Sequence, residues 1–258
     1  MNYTAIAFLL CLGLFFGVLI LLELGRRLGR WTLAKDFDQA RARVNTIETA
    51  IFLILGLMIA FTFSGAATRY ELRRQLVVDE ANAIGTAYLR LDLLSSSAQP
   101  SLREKFRRYV ELRIDALRIP WDTETPNKQA AETSALQKEI WSGVIDALKE
   151  SPPQSTIVMI PALNQMIDIT TTRAMAALTH TPILVFSALI FLTLTSALLA
   201  GFVMAGSTTR HMGVHSVAFA LVLTATVYII FDLDYPRFGV IRIEFADQAL
   251  RDLLVGMK

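Results

Sequence analysis

Four long apolar stretches divide the chain, each without Asp, Glu, Lys or Arg. In residues 5–22 Cys11 is the only polar member, and in residues 50–67 only Thr62 and Ser64 interrupt. Residues 183–205 carry Ser187, Thr193, Thr195 and Ser196. Residues 214–231 carry His215, Ser216, Thr224, Thr226 and Tyr228. A helix rises about 1.5 Å per residue and needs about 30 Å to cross hydrocarbon, so every stretch is long enough to span. Backbone groups cannot stay unpaired in lipid, which makes helices the form such runs take. The pattern predicts four transmembrane helices, at about residues 5–24, 47–67, 182–205 and 212–231.

Residues 68–180 read differently. They hold 14 Lys and Arg and 14 Asp and Glu, more than half of all the charge. Prolines at 100, 120, 126, 152, 153 and 161 cut the segment into pieces, and each piece has a helical stripe. Val77, Ala81, Ile84, Tyr88 and Leu91 form one; Leu102, Phe106 and Val110 a second; Leu136, Ile140, Val144 and Leu148 a third. Leu163, Ile167, Ala174 and Leu178 form a fourth, which leads directly into span three. No breaker separates span two from the first stripe, so one continuous helix is expected over about 46–94, roughly 70 Å long. Trp121 and residues 122–127 read as an exposed turn. The fold class is therefore all-α: four spans, with an extramembrane helical bundle between spans two and three. Residues 1–67 hold spans one and two, 68–180 the bundle, 181–232 spans three and four, and 233–258 a short tail. In that tail Val240, Ile241 and Ile243 suggest a brief extended piece before a last amphipathic turn.

Composition agrees. The chain is 53% hydrophobic and 19% charged, with mean hydropathy +0.46, against roughly 25% charge in soluble domains. The net charge of +2 says nothing about nucleic acid, and no basic tract or recognition motif supports that partner. The first stretch has no basic residue before it and no small-residue cleavage site after it. It runs into Glu23, Arg26, Arg27 and Arg30, and reads as a retained span. Cys11 stands alone, so cysteine builds neither a disulfide nor a metal site. Seven Lys and Arg lie near the span ends on each side. Discounting the long segment places residues 25–46 in the cytoplasm and the bundle outside.

No enzyme motif or cofactor motif is present. His211 and His215 share a helix face at the mouth of span four, with no third ligand nearby in sequence, and read as interfacial polar residues. No Asp, Glu, Lys or Arg lies within the four apolar stretches, which argues against proton-coupled transport. Asp232 and Asp234 end span four on the side where Arg69, Arg73 and Arg74 leave span two, and ion pairing between these ends is expected. Span two carries a row of small residues, Gly56, Ala60, Ser64 and Thr68, which lets another helix approach closely. Leu53, Leu57 and Phe61 form a bulky row read as lying on a different face. Around an oligomer axis that row makes an apolar constriction of the kind that gates by dewetting.

The segment Phe61-Thr-Phe-Ser-Gly-Ala-Ala-Thr-Arg69-Tyr70-Glu71-Leu-Arg73-Arg74 resembles the second-helix exit of bestrophins, which are anion channels. Phe61, Arg69, Tyr70, Glu71 and Arg73 fit the pattern, with Leu57 and Leu53 where further neck residues fall. With the closing Asp232-Leu-Asp-Tyr-Pro-Arg-Phe-Gly motif, the chain resembles small bacterial bestrophin-like membrane proteins over nearly its whole length. Thr62-Phe63-Ser64 stands where many bacterial bestrophins have Arg-Thr-Asn, and only Asp232 and Asp234 correspond to the acidic calcium clasp of the animal proteins. The resemblance implies a pentamer in a bacterial inner membrane, with the bundle and both termini cytoplasmic. That orientation is preferred here over the one charge alone suggests. It also implies small inorganic anions as the passing species, Arg69, Arg73 and Arg74 as an anion-attracting mouth, and no cofactor. The rival expectation is a non-conducting membrane scaffold whose helical domain binds a partner.

Overall fold

Proline, glycine and charge set where the helices stop. The computed structural model describes residues 3–32, 37–116, 125–206, 212–236, 240–241 and 244–257. Among the described residues eight helices follow in order: α1 (Tyr3–Thr32), α2 (Phe37–Leu89), α3 (Gln99–Ala116), α4 (Thr125–Leu148), α5 (Pro153–Leu178), α6 (Ile183–Val203), α7 (Met212–Asp234) and α8 (Glu244–Gly256). Short 3-10 turns occupy Arg90–Leu93 and Met204–Gly206, and no strand occurs among the described residues. Trp121, His211, Arg237, Arg242 and Ile243 lie outside the described residues, as does the expected turn over 122–124. Residues 125–127 open α4 instead, with Pro126 in the first turn, where its missing N–H has no helical partner to lose.

α2 is one continuous helix of 53 residues, about 80 Å by its rise. It begins before the expected start and gives way to the 3-10 turn at Arg90. The α5 stripe does not run unbroken into span three. α5 stops at Leu178, Thr179 is extended, and Pro182 caps α6. The Pro182 ring disfavours helical geometry in the residue before it, which forces the break. The tail differs too: the expected last turn is the 13-residue helix α8, which buries Ala246, Leu250 and, just past its end, Met257.

The chain forms two compact units. One comprises Met1–Tyr70 and His180–Ile241, the other Glu71–Thr179 and Arg242–Lys258. The first holds the apolar parts of α1, α2, α6 and α7, four helices long and apolar enough to cross a membrane. Its core joins Leu14, Val18 and Leu22 of α1, Leu55 and Ala66 of α2, Leu189, Ala197 and Ala200 of α6, and Ala220, Val227, Ile230 and Leu233 of α7. Apolar burial cannot hold these helices together in lipid, so close backbone packing must. α1 and α6 supply it. A Cβ on Gly25 would lie 1.9 Å from the Leu198 carbonyl oxygen, and one on Gly201 2.0 Å from the Leu22 carbonyl oxygen. Gly29 meets the Phe202 carbonyl in the same way, at 2.6 Å. Gly25-x-x-x-Gly29 is thus the close-packing motif within the chain. At Gly56, by contrast, nothing lies within 4 Å of an added Cβ.

The second unit has a core of its own around Ile84, Leu91, Phe106, Tyr109, Ile140, Val144, Met159, Leu163, Met166 and Leu250. Ser155 Oγ donates to the Leu93 carbonyl at 2.8 Å, and the Ser95 N–H to Ser151 Oγ at 3.0 Å, tying α5 to the end of the α2 extension. α8 is held at its end: Tyr88 Oη and Arg107 Nε both donate to the Met257 carbonyl.

The glycine contacts make a sharp expectation. Gly201→Ala drives a methyl group into backbone that cannot yield, costing about 1–3 kcal/mol or more. It should lower the unfolding midpoint and the yield of monodisperse protein in detergent, while Gly13→Ala, where nothing lies within 4 Å of an added Cβ, leaves both unchanged. A Gly201→Ala protein with the parental midpoint would contradict the packing described.

Candidate functional site

The sector of α2 turned away from its own unit carries both rows singled out in span two. Leu53, Leu57 and Phe61 are 70%, 57% and 68% exposed, and Gly56, Ala60, Ser64 and Thr68 are exposed as well. The two rows do not occupy different faces. A four-residue step drifts about 40° around a helix, so by Ser64 and Thr68 the small row has moved into the sector of Leu57 and Phe61. The opposite sector faces the core with Leu55, Thr62 and Ala66, and Thr62 Oγ1 donates back to the Met58 carbonyl at 2.7 Å. Span two therefore presents bulky apolar side chains interleaved with small ones on a single outward face.

A cluster of charge lies at the end of α7. Asp234 is fully buried. Arg69 Nε donates to its Oδ1 at 2.7 Å, and the Thr181 N–H donates to Oδ2 at 2.8 Å. Arg69 also donates to Thr181 Oγ1. His180 Nδ1 is 3.1 Å from the Asp234 carbonyl oxygen, and the His180 ring stacks on Tyr235 at 4.4 Å. Asp232 is placed otherwise. It accepts the Val240 and Ile241 N–H groups, at 3.1 and 2.8 Å, and so holds the turn after α7. The aspartates of the closing motif thus divide the work, Asp234 binding a guanidinium and Asp232 binding backbone.

The other mouth residues have partners of their own. Arg73 is buried and donates to the Ala176 and Thr179 carbonyls at 3.0 and 2.6 Å, at the negative end of the α5 dipole. Arg74 pairs with Glu71 one turn earlier, at 2.6 Å, and this bond holds the Glu71 carboxyl below its ordinary range. His215 is exposed, and no group of three metal-ligating side chains occurs among the described residues.

Two polar arrangements escaped the sequence reading. Arg26, at the end of span one, donates to Ser216 Oγ on α7 at 3.0 Å and to Glu23 at 3.3 Å. In the second unit Glu80 is fully buried and accepts from Arg113 Nε on one oxygen and from Arg173 Nη1 on the other. Beside it Gln137 Nε2 donates to Tyr109 Oη at 3.0 Å and to Thr170 Oγ1 at 3.2 Å, and Tyr109 and Thr170 bond each other at 2.9 Å. The only signal for these groups was polar residues interrupting apolar stripes, and stripes do not say which interruptions meet.

A bestrophin-like domain matches residues 13–247 of the chain. Among solved structures, a bacterial bestrophin homologue from Klebsiella pneumoniae superposes with TM-score 0.69 at 14% identity, covering 93% of this chain and 97% of that one. A point variant of that homologue gives TM-score 0.68 at 14% identity, over 95% and 97% of the two chains. A structure described as a membrane protein with one substitution gives TM-score 0.67 at 14% identity, over 94% and 97%. No curated protein matches by sequence.

The buried carboxylates lead to two measurements. Asp234→Ala strands Arg69 and the Thr181 N–H, and should cost about 3–5 kcal/mol, read as a lowered unfolding midpoint. A loss within error of the parent would mean the pair is idle. For Glu80, burial alone would raise the carboxyl, but Arg173 and Arg113 outweigh it and hold the group below the ordinary glutamate range. A lowered folded value gives stability that is present above the unfolded pKa and lost as pH falls through the folded one. The unfolding midpoint should therefore decline on acidification below the usual glutamate range. Glu80→Gln should remove that acid limb, and an unchanged limb would contradict the assignment.

Proposed function

The chain belongs to the bestrophin-like family, and we propose that it assembles as a homo-oligomeric ion channel whose pore is lined by α2 and passes small inorganic anions. The observation that carries this reading is the outward α2 face. Leu53, Leu57 and Phe61 are uncovered within the chain, and in a symmetric assembly around α2 they stack as three apolar rings. Small residues between them let neighbouring helices come close enough to narrow the axis. Rings of that kind keep a narrow passage dry, and smaller side chains wet it. A pentamer follows from the family resemblance, as does an orientation with the helical domain and both termini in the cytoplasm. Labelling of single introduced cysteines in sealed vesicles tests that orientation.

Basic groups near a pore raise the local anion concentration. Arg69 holds Asp234 and Arg73 caps α5, so their replacement carries a structural cost. Arg74, whose partner Glu71 is on the surface, is the informative one to neutralise.

Flux into liposomes loaded with a halide-sensitive dye decides the matter. Leu57→Ala combined with Phe61→Ala should raise halide flux several-fold over the parent, and Arg74→Gln should lower preference for anions over cations. Parental flux from both variants, with assembly intact, would favour a non-conducting scaffold. So would particle images in which these side chains point away from the symmetry axis.

A further inference from the structure

The Glu80 cluster in the second unit has more positive charge and more hydrogen-bond donors than its protein partners use. Arg113 of α3 and Arg173 of α5 converge on Glu80 of α2, one on each carboxylate oxygen. Two guanidinium groups around one carboxylate leave a net charge of about +1, and no second carboxylate pairs with either arginine among the described residues. A guanidinium has about five N–H donors. Arg113 uses Nε and Arg173 uses Nη1, and neither makes another hydrogen bond among the described residues. The side chains are 12% and 13% exposed, so they are mostly withdrawn from solvent yet still reachable from it. Among the described residues neither arginine has a nitrogen that is both buried and unpaired, so the N–H groups not given to Glu80 are open to solvent and to a ligand.

We infer that Arg113 and Arg173 form a binding site for a small, planar, singly charged oxyanion of the carboxylate class. One negative charge balances the site. A planar oxyanion accepts paired N–H groups from a guanidinium fork, a geometry a spherical halide cannot match. Glu80 is the built-in counter-charge that spaces the forks and keeps the affinity moderate. The layer beside it is closed: Tyr109, Thr170 and Gln137 bond one another, so the ligand meets the arginines and not that triangle. The site joins α2, α3 and α5, and its occupation ties three helices of the second unit together whether or not the spans conduct.

Formate is the probe. Equilibrium dialysis of labelled formate against the full chain in detergent should show saturable binding. Arg113→Lys and Arg173→Lys keep the charge opposite Glu80 but lose the fork, and each should weaken formate binding about tenfold or more. Glu80→Gln raises the site charge and should tighten binding several-fold, whereas Ile20→Ala, on the exposed side of α1 in the first unit, should leave it unchanged. The unaltered protein gives a reading that depends on no variant: its unfolding midpoint should rise with formate relative to chloride at equal ionic strength. No saturable binding, no such rise, or binding undiminished in both folded lysine variants would reduce the cluster to an internal ion-pair network and overturn the inference.

Discussion

Hydrocarbon offers no water to a polar group, and the architecture of this chain follows from that single constraint. Within the spans the backbone must satisfy itself, so α1, α2, α6 and α7 are helices. Some hydroxyls buried there turn back on their own helix, Thr62 to the Met58 carbonyl and Thr193 to the Leu189 carbonyl, whereas Ser196 Oγ and Thr224 Oγ1 are buried with no partner among the described residues. Helices whose surfaces are as apolar as lipid gain little from touching it less. They associate where backbones can meet, at Gly25, Gly29 and Gly201 between α1 and α6. Charge is driven to the span ends, and there it is paired, as Arg69 with Asp234 and Arg26 with Glu23 and Ser216.

Buried charge in the two units is handled in different ways. In the first, Asp234 accepts from the Arg69 guanidinium and the Thr181 N–H, and Asp232 from the Val240 and Ile241 N–H groups. In the second, Arg73 donates to the carbonyls at the negative end of α5. Glu80 stands between two arginines, an excess of cation that an ordinary structural pair would not require.

These arrangements bear on how an α2-lined channel would work. The side of α2 that packs within its own unit buries Leu55, Thr62 and Ala66, flanked by the partly buried Phe52, Met58, Ile59 and Ala67. That leaves a broad outward sector in which bulky and small residues alternate. A face of this kind suits close helix contact and an apolar constriction together, because the small residues set the approach and the large ones fill the axis.

The sequence by itself determined the membrane class, the four spans, the helical domain and the family resemblance. The first three rest on a local property, the length of an uncharged run or the period of a stripe, and the resemblance on the short motifs at residues 61–74 and 232–239. It also pointed to Asp232 and Asp234 facing Arg69, Arg73 and Arg74, but could not choose among the pairings. Only the tertiary structure decided that Asp234 meets Arg69 while Asp232 holds backbone, since both are buried acids two residues apart and differ only in what folds against them. The same holds for the glycines: Gly56 and Gly25 look alike in a helix, and only the partner's carbonyl distinguishes open space from close contact. Glu80 and its arginines were the least legible, because they come from α2, α3 and α5 at separations of 33 and 93 residues. Periodicity tells which side of a helix is buried; it carries no information on which distant residue is buried against it.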